Sequence, residues 1–450
     1  MSDLTRRIVE LIQTTNRYEQ FGMETKGNLK KGVLDYIISC YASVKFDANF
    51  QNVLHSSIYS NHDDAVVIGT SLKVHPYDAC LINGYSAHAL ELDDVHSEIR
   101  GHPSAVILSL LFSLLQEKQD TNRFYEAYLI GVEVMTRFAK LLGPTHYEKG
   151  FHTTATAGLY GAVAAGAHYL EIPTEKFAQA LNLCVSKISG SRSHFGSLMK
   201  PLHAGLTAQS AWQILHLVKN NITGSENTII SKNGLLSMYV ENEIDAWKYF
   251  ENWGEPLSVD QPGLWFKLYP CCSANVHVID AIKEIQSVHS FRVEEISSVD
   301  LYFPPNGDAA LVYTQPTNGE QGCFSAEYCS ALLLLGEGLS IENFRATSIS
   351  EEVLGMMKKV KRSYDPIIPI SETSYPKGRY CIAEISLNSG QKYASRVDVP
   401  TGSPGKPLGM EDLFSKATTI LGKQANSIIK VFSKKGTVSF NELEQLLLIE

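Results

Sequence analysis

The chain has 450 residues, 44% hydrophobic and 19% charged, with a net charge of −9. This is the composition of a globular protein long enough for two domains, and its acidic surplus argues against nucleic acid as the main partner. No apolar run is long enough to span a bilayer, charges recur through MSDLTRRIVELIQ where a signal peptide needs an apolar core, and the eight cysteines show no CxxC spacing, so a cytoplasmic protein with reduced thiols and no membrane partner is expected.

Residues 4–60 carry apolar positions at three- and four-residue intervals, first Leu4, Ile8 and Leu11, then Val33, Leu34, Ile37 and Ile38, and predict helices. An irregular segment follows over 62–80. Pro76 and Asp78 open a helix through 79–90, which feeds a polar cluster of Glu91, Asp93, Asp94, His96, Glu98, Arg100 and His102. The apolar AVILSLLFSLL leaves that cluster as a buried helix. Charged side chains between two core helices are either solvated at a surface or satisfied in a cleft. Pro103 fits the first turn of the second helix, which leaves His102 at a helix mouth.

Two helices are expected over 104–142, the second ended by Gly143-Pro144. KGFHTTATAGLYGAVAAGAHYLEI is dense in Ala and Gly, so its helix belongs at the centre of a bundle, with His152 at its entrance. Another helix opens at Thr174 and Lys176. Arg192, His194, Lys200 and His203 then fall in and just beyond a Gly/Ser-rich loop, and Pro201 starts a helix carrying 204–218. Beyond residue 262 the pattern changes. SSVDLYFPP alternates as a strand, YCIAEISLNSG with KYASRVDVP forms a hairpin around Asn388-Ser389-Gly390, and a helix lies near 325–336. The expected organisation is a helical domain over 1–262, a smaller α+β domain over 263–403 and, after PTGSPGKP, C-terminal helices over 404–450 that return to the helical domain.

Four separated places set a His or Lys in a Gly/Pro-punctuated loop beside a buried helix: Asp93 to His102, His152, Lys200 with His203, and Lys267 before Tyr-Pro-Cys-Cys. Each has a plain structural reading, since a histidine at a helix start is usually a cap and a lysine usually a surface residue. Lys267 within Leu-Trp-Phe-Lys-Leu-Tyr is harder to dismiss, because a lysine among apolar residues needs a partner. Cys271 and Cys272 read as core. If the four places converge, lysines and an arginine would neutralise carboxylates of a small acid while histidines move protons at the adjoining carbon. The His and Asp spacing matches no compact metal site.

The motifs NGYSAHALELDDVHSEIRGHPSA, KGFHTTATAGLYGAVAAGA, SLMKPLHAGLTAQSA, KLYPCCSANVHVIDAI and SAEYCSALLLL resemble those of the MmgE/PrpD family, over nearly the whole chain. That family contains 2-methylcitrate dehydratases, cis-aconitate decarboxylases and iminodisuccinate epimerase. The resemblance implies a mostly α protein, with a large helical domain and a smaller α+β lid domain. It also implies a homodimer and acid–base chemistry at the domain junction without metal or other cofactor. By position it assigns acid–base roles to His102 and His152, substrate carboxylates to Lys200 and Lys267, a site carboxylate to Asp93 or Glu91, and a lid proton donor or carboxylate partner to Tyr328. On its residues alone Tyr328 reads as a core aromatic. His96 and His203 are further candidates for substrate contact.

Two departures stand out. Asp93-Asp94-Val95 replaces the usual Asp-Asp-Thr, so a hydroxyl is missing unless His96 or Ser97 replaces that contact. The connection to His102-Pro103-Ser104-Ala105 is shorter than in methylcitrate dehydratases and lacks their final Asp, which weakens assignment to methylcitrate. The leading expectation is a lyase, dehydratase or decarboxylase, for a small di- or tricarboxylate. An epimerase of an amino- or imino-dicarboxylate would use the same groups, and a non-catalytic carboxylate binder is the third reading.

Overall fold

Two glycines decide how closely the helices flanking the site can pack. The computed structural model describes residues 4–58 and 64–448. The first three positions, 59 and 60 of the predicted helices, 62 and 63 of the irregular segment, and 449 and 450 of the last helix lie outside the described residues. Helix α1 spans Met23–Phe46, α2 Pro76–His88, α3 Pro103–Ser113, α4 Thr121–Glu148, α5 Thr153–Tyr169 and α6 Met199–Lys219. Where α2 crosses α6, a Cβ on Gly84 would sit 2.5 Å from the Gly205 Cα, and one on Gly205 would run into the Leu81 carbonyl. Backbone lies on backbone there, and the end of α2 meets the start of α6. The Ala/Gly-rich α5 is central, as its composition predicts: a Cβ on Gly161 would come within 2.6 Å of the Gly131 carbonyl of α4. Gly143, at φ 73°, breaks the helical path inside α4 where the Gly-Pro pair marks an end. The segment expected to be irregular contains a minimal antiparallel pair, β1 Ala65–Val66 and β2 Lys73–Val74.

A second apolar core is built from residues 271–397 together with Phe195. Its sheet contains β3 Ile296–Phe303, β4 Val360–Tyr364, β5 Cys381–Leu387 and β6 Lys392–Val397, in the order β4-β3-β5-β6. The alternating burial of β3 and β5 is the period-two pattern visible in the sequence. β5 and β6 form the expected antiparallel hairpin, with Gly390 at φ 86° in its turn. β4, which pairs parallel to β3, is a strand the sequence reading missed. Helices α7 (Ala274–Val288) and α8 (Ala326–Leu335) contribute to this second core. The protein is thus mostly α, with a large helical domain and a smaller α+β domain.

Contacts from other parts of the chain hold the polar cluster in place. Val95 and Trp265 exchange backbone hydrogen bonds of 2.9 and 2.8 Å, which lays the polar cluster against the strand-like run holding Lys267. Helix α9 (Met410–Leu421) packs on α1, where the buried Lys416 Nζ reaches Asp35 Oδ1 at 2.6 Å and the Leu92 carbonyl at 2.7 Å. Leu92, between Glu91 and Asp93, is therefore held by the C-terminal part of the chain. Among the described residues, no helix is long and apolar enough to cross a membrane.

Candidate active site

The end of α2 places the residue from which the site is built. His88, its side chain wholly buried, is the last residue of α2. Its Nδ1 lies 2.9 Å from Asp93 Oδ2, and its Nε2 is 2.7 Å from Lys200 Nζ at the start of α6. An ammonium only donates and a carboxylate only accepts, so these partners assign the proton to Nδ1 and the lone pair to Nε2. After α2 the chain turns sharply: Glu91 adopts φ 53°, a left-handed conformation rare for a side-chain-bearing residue. The turn carries its carboxylate to Lys200, which it pairs with directly, and to Lys267 Nζ at 3.5 Å. Lys267 also approaches Asp93 Oδ1 at 3.8 Å.

This cluster is nearly sealed, and its charges explain how it stays ionised. Burial resists ionisation of Glu91, but Lys200, Lys267, His88 and His102 outweigh it and hold the carboxyl well below the usual range. Asp93 is likewise held low, with His102, His88 and Lys267 overcoming burial. Burial would lower Lys267, yet Glu91 and Asp93 raise it.

His102 occupies the N-cap position of α3, with Pro103 in its first turn as predicted, and His152 the N-cap position of α5. Neither side chain makes a capping bond. His102 Nδ1 lies 3.0 Å from Asp93 Oδ2, close enough for ion pairing but off the line of an aligned hydrogen bond. His152 Nδ1 faces His203 Nδ1 at 3.1 Å. Among the described residues neither ring's Nε2 is hydrogen-bonded, and the Nδ1 of His102 makes no aligned hydrogen bond either. Burial pushes His102 down to about 3, against Asp93 and helped by His88 and the lysines. It also pushes His152 far down, with Lys200 and the other histidines adding to the effect. Both rings are neutral at neutral pH in the unliganded protein.

Glu91, His102, His152 and Lys200 line one cavity of about 660 Å³, which extends across both domains to Cys272, Phe324 and Arg379. Asp93, Lys267 and His203 lie behind its wall and act on it through Glu91, His102 and His152. His96 does not join them. Its buried ring is bonded to the Ser258 carbonyl at 3.1 Å and ties the loop to the helical domain. Ser97, on the cavity wall, is the available hydroxyl beside Val95. Cys272, read as core, also reaches the wall, and burial pushes its thiol up to about 11.

Tyr328 departs from the role the resemblance implies. It lies in the small-domain core, packs on Phe344 and donates its hydroxyl to the Asn343 carbonyl at 2.7 Å. Burial raises its pKa further, and it does not line the cavity. Its plain reading as a core aromatic fits this geometry. Tyr328→Phe is accordingly expected to leave turnover within about twofold of wild type and to lower stability by about 1 kcal/mol, the net worth of a neutral hydrogen bond. Steady-state rates and urea denaturation measure both; a hundredfold loss of turnover would restore the proton-donor role.

Sequence reasoning missed His88, which it absorbed into the helix. The spacing His88-x-x-Glu91-x-Asp93 at a helix end was the available signal. Asp94, which the sequence places with Asp93 as an orienting partner for a histidine, turns to Ser104 instead. Burial, opposed by the Ser104 contact but assisted by Asp35 and Asp93, pushes it up to about 8, so it is a protonated acid bonded to Ser104, whose hydroxyl also meets Tyr128. The native state keeps this proton where the unfolded chain, with an ordinary value of 3.8, releases it. Its contribution is therefore full below the unfolded value and declines as pH rises towards about 8, by up to about 1.4 kcal/mol per unit. Asp94→Asn should remove that decline. Urea denaturation at pH 5 and pH 8 should show the variant gaining on wild type as pH rises, and parallel profiles would contradict the assignment.

His88, Glu91 and His102 offer one donor atom each, all within 4.8 Å of one another, a spacing a metal ion could use. Lys200 already donates to both His88 and Glu91, so an ammonium occupies the cationic position of that set. The donors fit a metal only if Lys200 withdraws.

The architecture is thus a helical domain and an α+β domain sharing one buried acid–base cluster. Family models for the MmgE/PrpD N-terminal domain and the MmgE/PrpD C-terminal domain match residues 6–246 and 269–431, and the chain belongs to the MmgE/PrpD family. It is similar to the cis-aconitate decarboxylase of Aspergillus terreus, at 23% identity over 382 residues, covering 79% of this chain and 76% of that protein. It is also similar to the cis-aconitate decarboxylase-like protein oryM of Aspergillus oryzae (strain ATCC 42149 / RIB 40), at 22% identity over 366 residues, covering 75% and 74%.

Proposed function

We propose that the protein is a lyase for a small tricarboxylate, with decarboxylation of cis-aconitate or a close analogue as its reaction. The observation that carries this reading is that two neutral histidines, His102 and His152, and the ammonium of Lys200 face one cavity. Loss of CO2 from a β,γ-unsaturated acid breaks one C–C bond and moves the double bond by one position. The displaced electron pair takes one proton at the γ carbon, and no oxidant or reductant enters. A histidine at the γ carbon supplies that proton, and Lys200 can hold a retained carboxylate. The relatives' names support decarboxylation over dehydration.

The test is proton NMR in deuterated water with cis-aconitate, 2-methylcitrate, citrate and iminodisuccinate, before and after treatment with EDTA. The expected result is conversion of cis-aconitate with loss of CO2 and one solvent deuterium in the product, unaffected by EDTA. Deuterium in recovered iminodisuccinate without another product would replace the lyase by the epimerase reading, which two histidines facing one cavity also suit. No conversion and no deuterium uptake from any acid would overturn both.

A further inference from the structure

The lysines expected to clamp substrate are already committed. Lys200 and Lys267 are paired with Glu91 and Asp93, so these four charges cancel at the cavity floor. A trianion meets little net attraction there, and the uncompensated positive charge lies elsewhere in the same cavity.

Arg100 and Arg379 both line it, one from the loop before His102 and the other from the small domain. The Arg100 guanidinium stands over the Tyr147 ring at 5.6 Å, and Arg379 donates to the Gly307 carbonyl. Behind them Arg192 stacks on Tyr147 at 3.8 Å and bonds to the carbonyls of Tyr147 and Ala309 at 2.9 Å each, which joins the two domains. Among the described residues, no carboxylate lies within ion-pairing distance of these three guanidiniums, although the chain carries a net charge of −9. Burial, and then the like charge of Arg100, press Arg379 below the usual guanidinium range, against Tyr147, Cys272 and Asp308. Arg100 also holds a left-handed backbone at φ 52°, a strained conformation two residues before His102. Like charges that line one cavity, neither of them in an ion pair, are stabilised when an anion binds beside both.

We propose that Arg100 and Arg379 form an anion-binding subsite at the domain cleft that receives the substrate carboxylate farthest from the reacting carbon. The subsite selects tricarboxylates over dicarboxylates. Arg192 is a positioning residue that holds Tyr147 beneath it. The proposal rests on the reading of the site as a tricarboxylate lyase, but its test is separable from turnover.

Calorimetric titration with the unreactive tricarballylate, with glutarate and with sulfate, at one ionic strength, compares wild type with Arg100→Gln and Arg379→Gln. Each substitution is expected to weaken tricarballylate about tenfold or more, as loss of a charge-assisted contact does, and glutarate by less than about twofold. With cis-aconitate, Arg100→Gln should raise KM about tenfold and leave kcat within about twofold, the signature of uniform binding. Unchanged tricarballylate affinity in Arg100→Gln overturns the subsite, and the exposed position of Arg100 keeps this arm free of folding effects. Equal losses for tricarballylate and glutarate overturn the selectivity. Loss of sulfate binding with tricarballylate retained assigns the arginines to a separate anion site and also overturns the proposal. If wild type does not turn over cis-aconitate, the lyase reading fails while arginine-dependent tricarballylate binding still stands.

Discussion

Replacing His102 by alanine is expected to lower turnover by about 10²–10⁴-fold while leaving the protein folded, and His152→Ala should act similarly. Both residues occupy N-cap positions without making a capping bond, so the loss is confined to the contacts of His102 with Asp93 and of His152 with His203. Alanine therefore removes an imidazole from the cavity and no helix-end hydrogen bond. A structural histidine would show the opposite pattern, with stability lost and turnover kept. Its protonation gives a second readout. In the unliganded protein His102 lies near 3 and carries no proton to give. A carboxylate about 4 Å away, at an effective dielectric of about 20, favours the imidazolium by about 4 kcal/mol, or roughly three pH units. The substrate anion thus raises the pKa of the ring towards neutral pH, and the proton needed at the reacting carbon enters with it. Titration with tricarballylate at pH 7 in buffers of different ionisation enthalpy should show net proton uptake by wild type and less by His102→Ala. Wild-type turnover in both alanine variants would remove both acid–base assignments.

How much of this could be read from the sequence depends on the range of the contact. Pro103 in the first turn of its helix, His152 at the entrance to a small-residue helix and the hairpin at Gly390 are local features, and local spacing specifies them. His88 was hidden because a buried helix with no apolar stripe gives every position the same background. What makes it central is the contact of Gly84 with Gly205, 121 positions away, which brings Lys200 to its ring. The parallel strand Val360–Tyr364 was missed for a related reason: its pairing with Ile296–Phe303 spans four helices, and its five residues carry little alternation. Tyr328 and His96 show the converse error. Each sits in or beside a motif of the site, yet Tyr328 is turned to Asn343 and His96 to Ser258. Proximity in sequence placed them near the chemistry, while side-chain direction, which the sequence does not encode locally, took them away from it.

Glu91→Gln is expected to destabilise the protein at neutral pH by about 3–5 kcal/mol, the usual consequence of removing one partner from a buried ion pair. Glu91 is 5% exposed and faces both Lys200 and Lys267, so the substitution leaves Lys267 with Asp93 alone and takes from Lys200 the carboxylate it pairs with. The pH dependence follows from the direction of its shift. A carboxyl held below its ordinary value contributes stability that is complete above the unfolded value of 4.5 and is lost as pH falls towards the folded value. The gap between wild type and Glu91→Gln should therefore be widest near pH 7 and narrow below about pH 5, as measured by urea denaturation across that range. Lys200→Met in the same protein tests whether the pair acts as a unit. The double variant should lose less than the sum of the single losses, because neither buried charge is then left facing an absent partner. Strict additivity would mean that Lys200 and Glu91 are not coupled. Substrate enters the same balance: a carboxylate arriving at Lys200 competes with Glu91 in wild type and replaces it in Glu91→Gln. Tricarballylate should accordingly raise the stability of Glu91→Gln more than that of wild type, and equal stabilisation of the two would place the bound carboxylate away from Lys200.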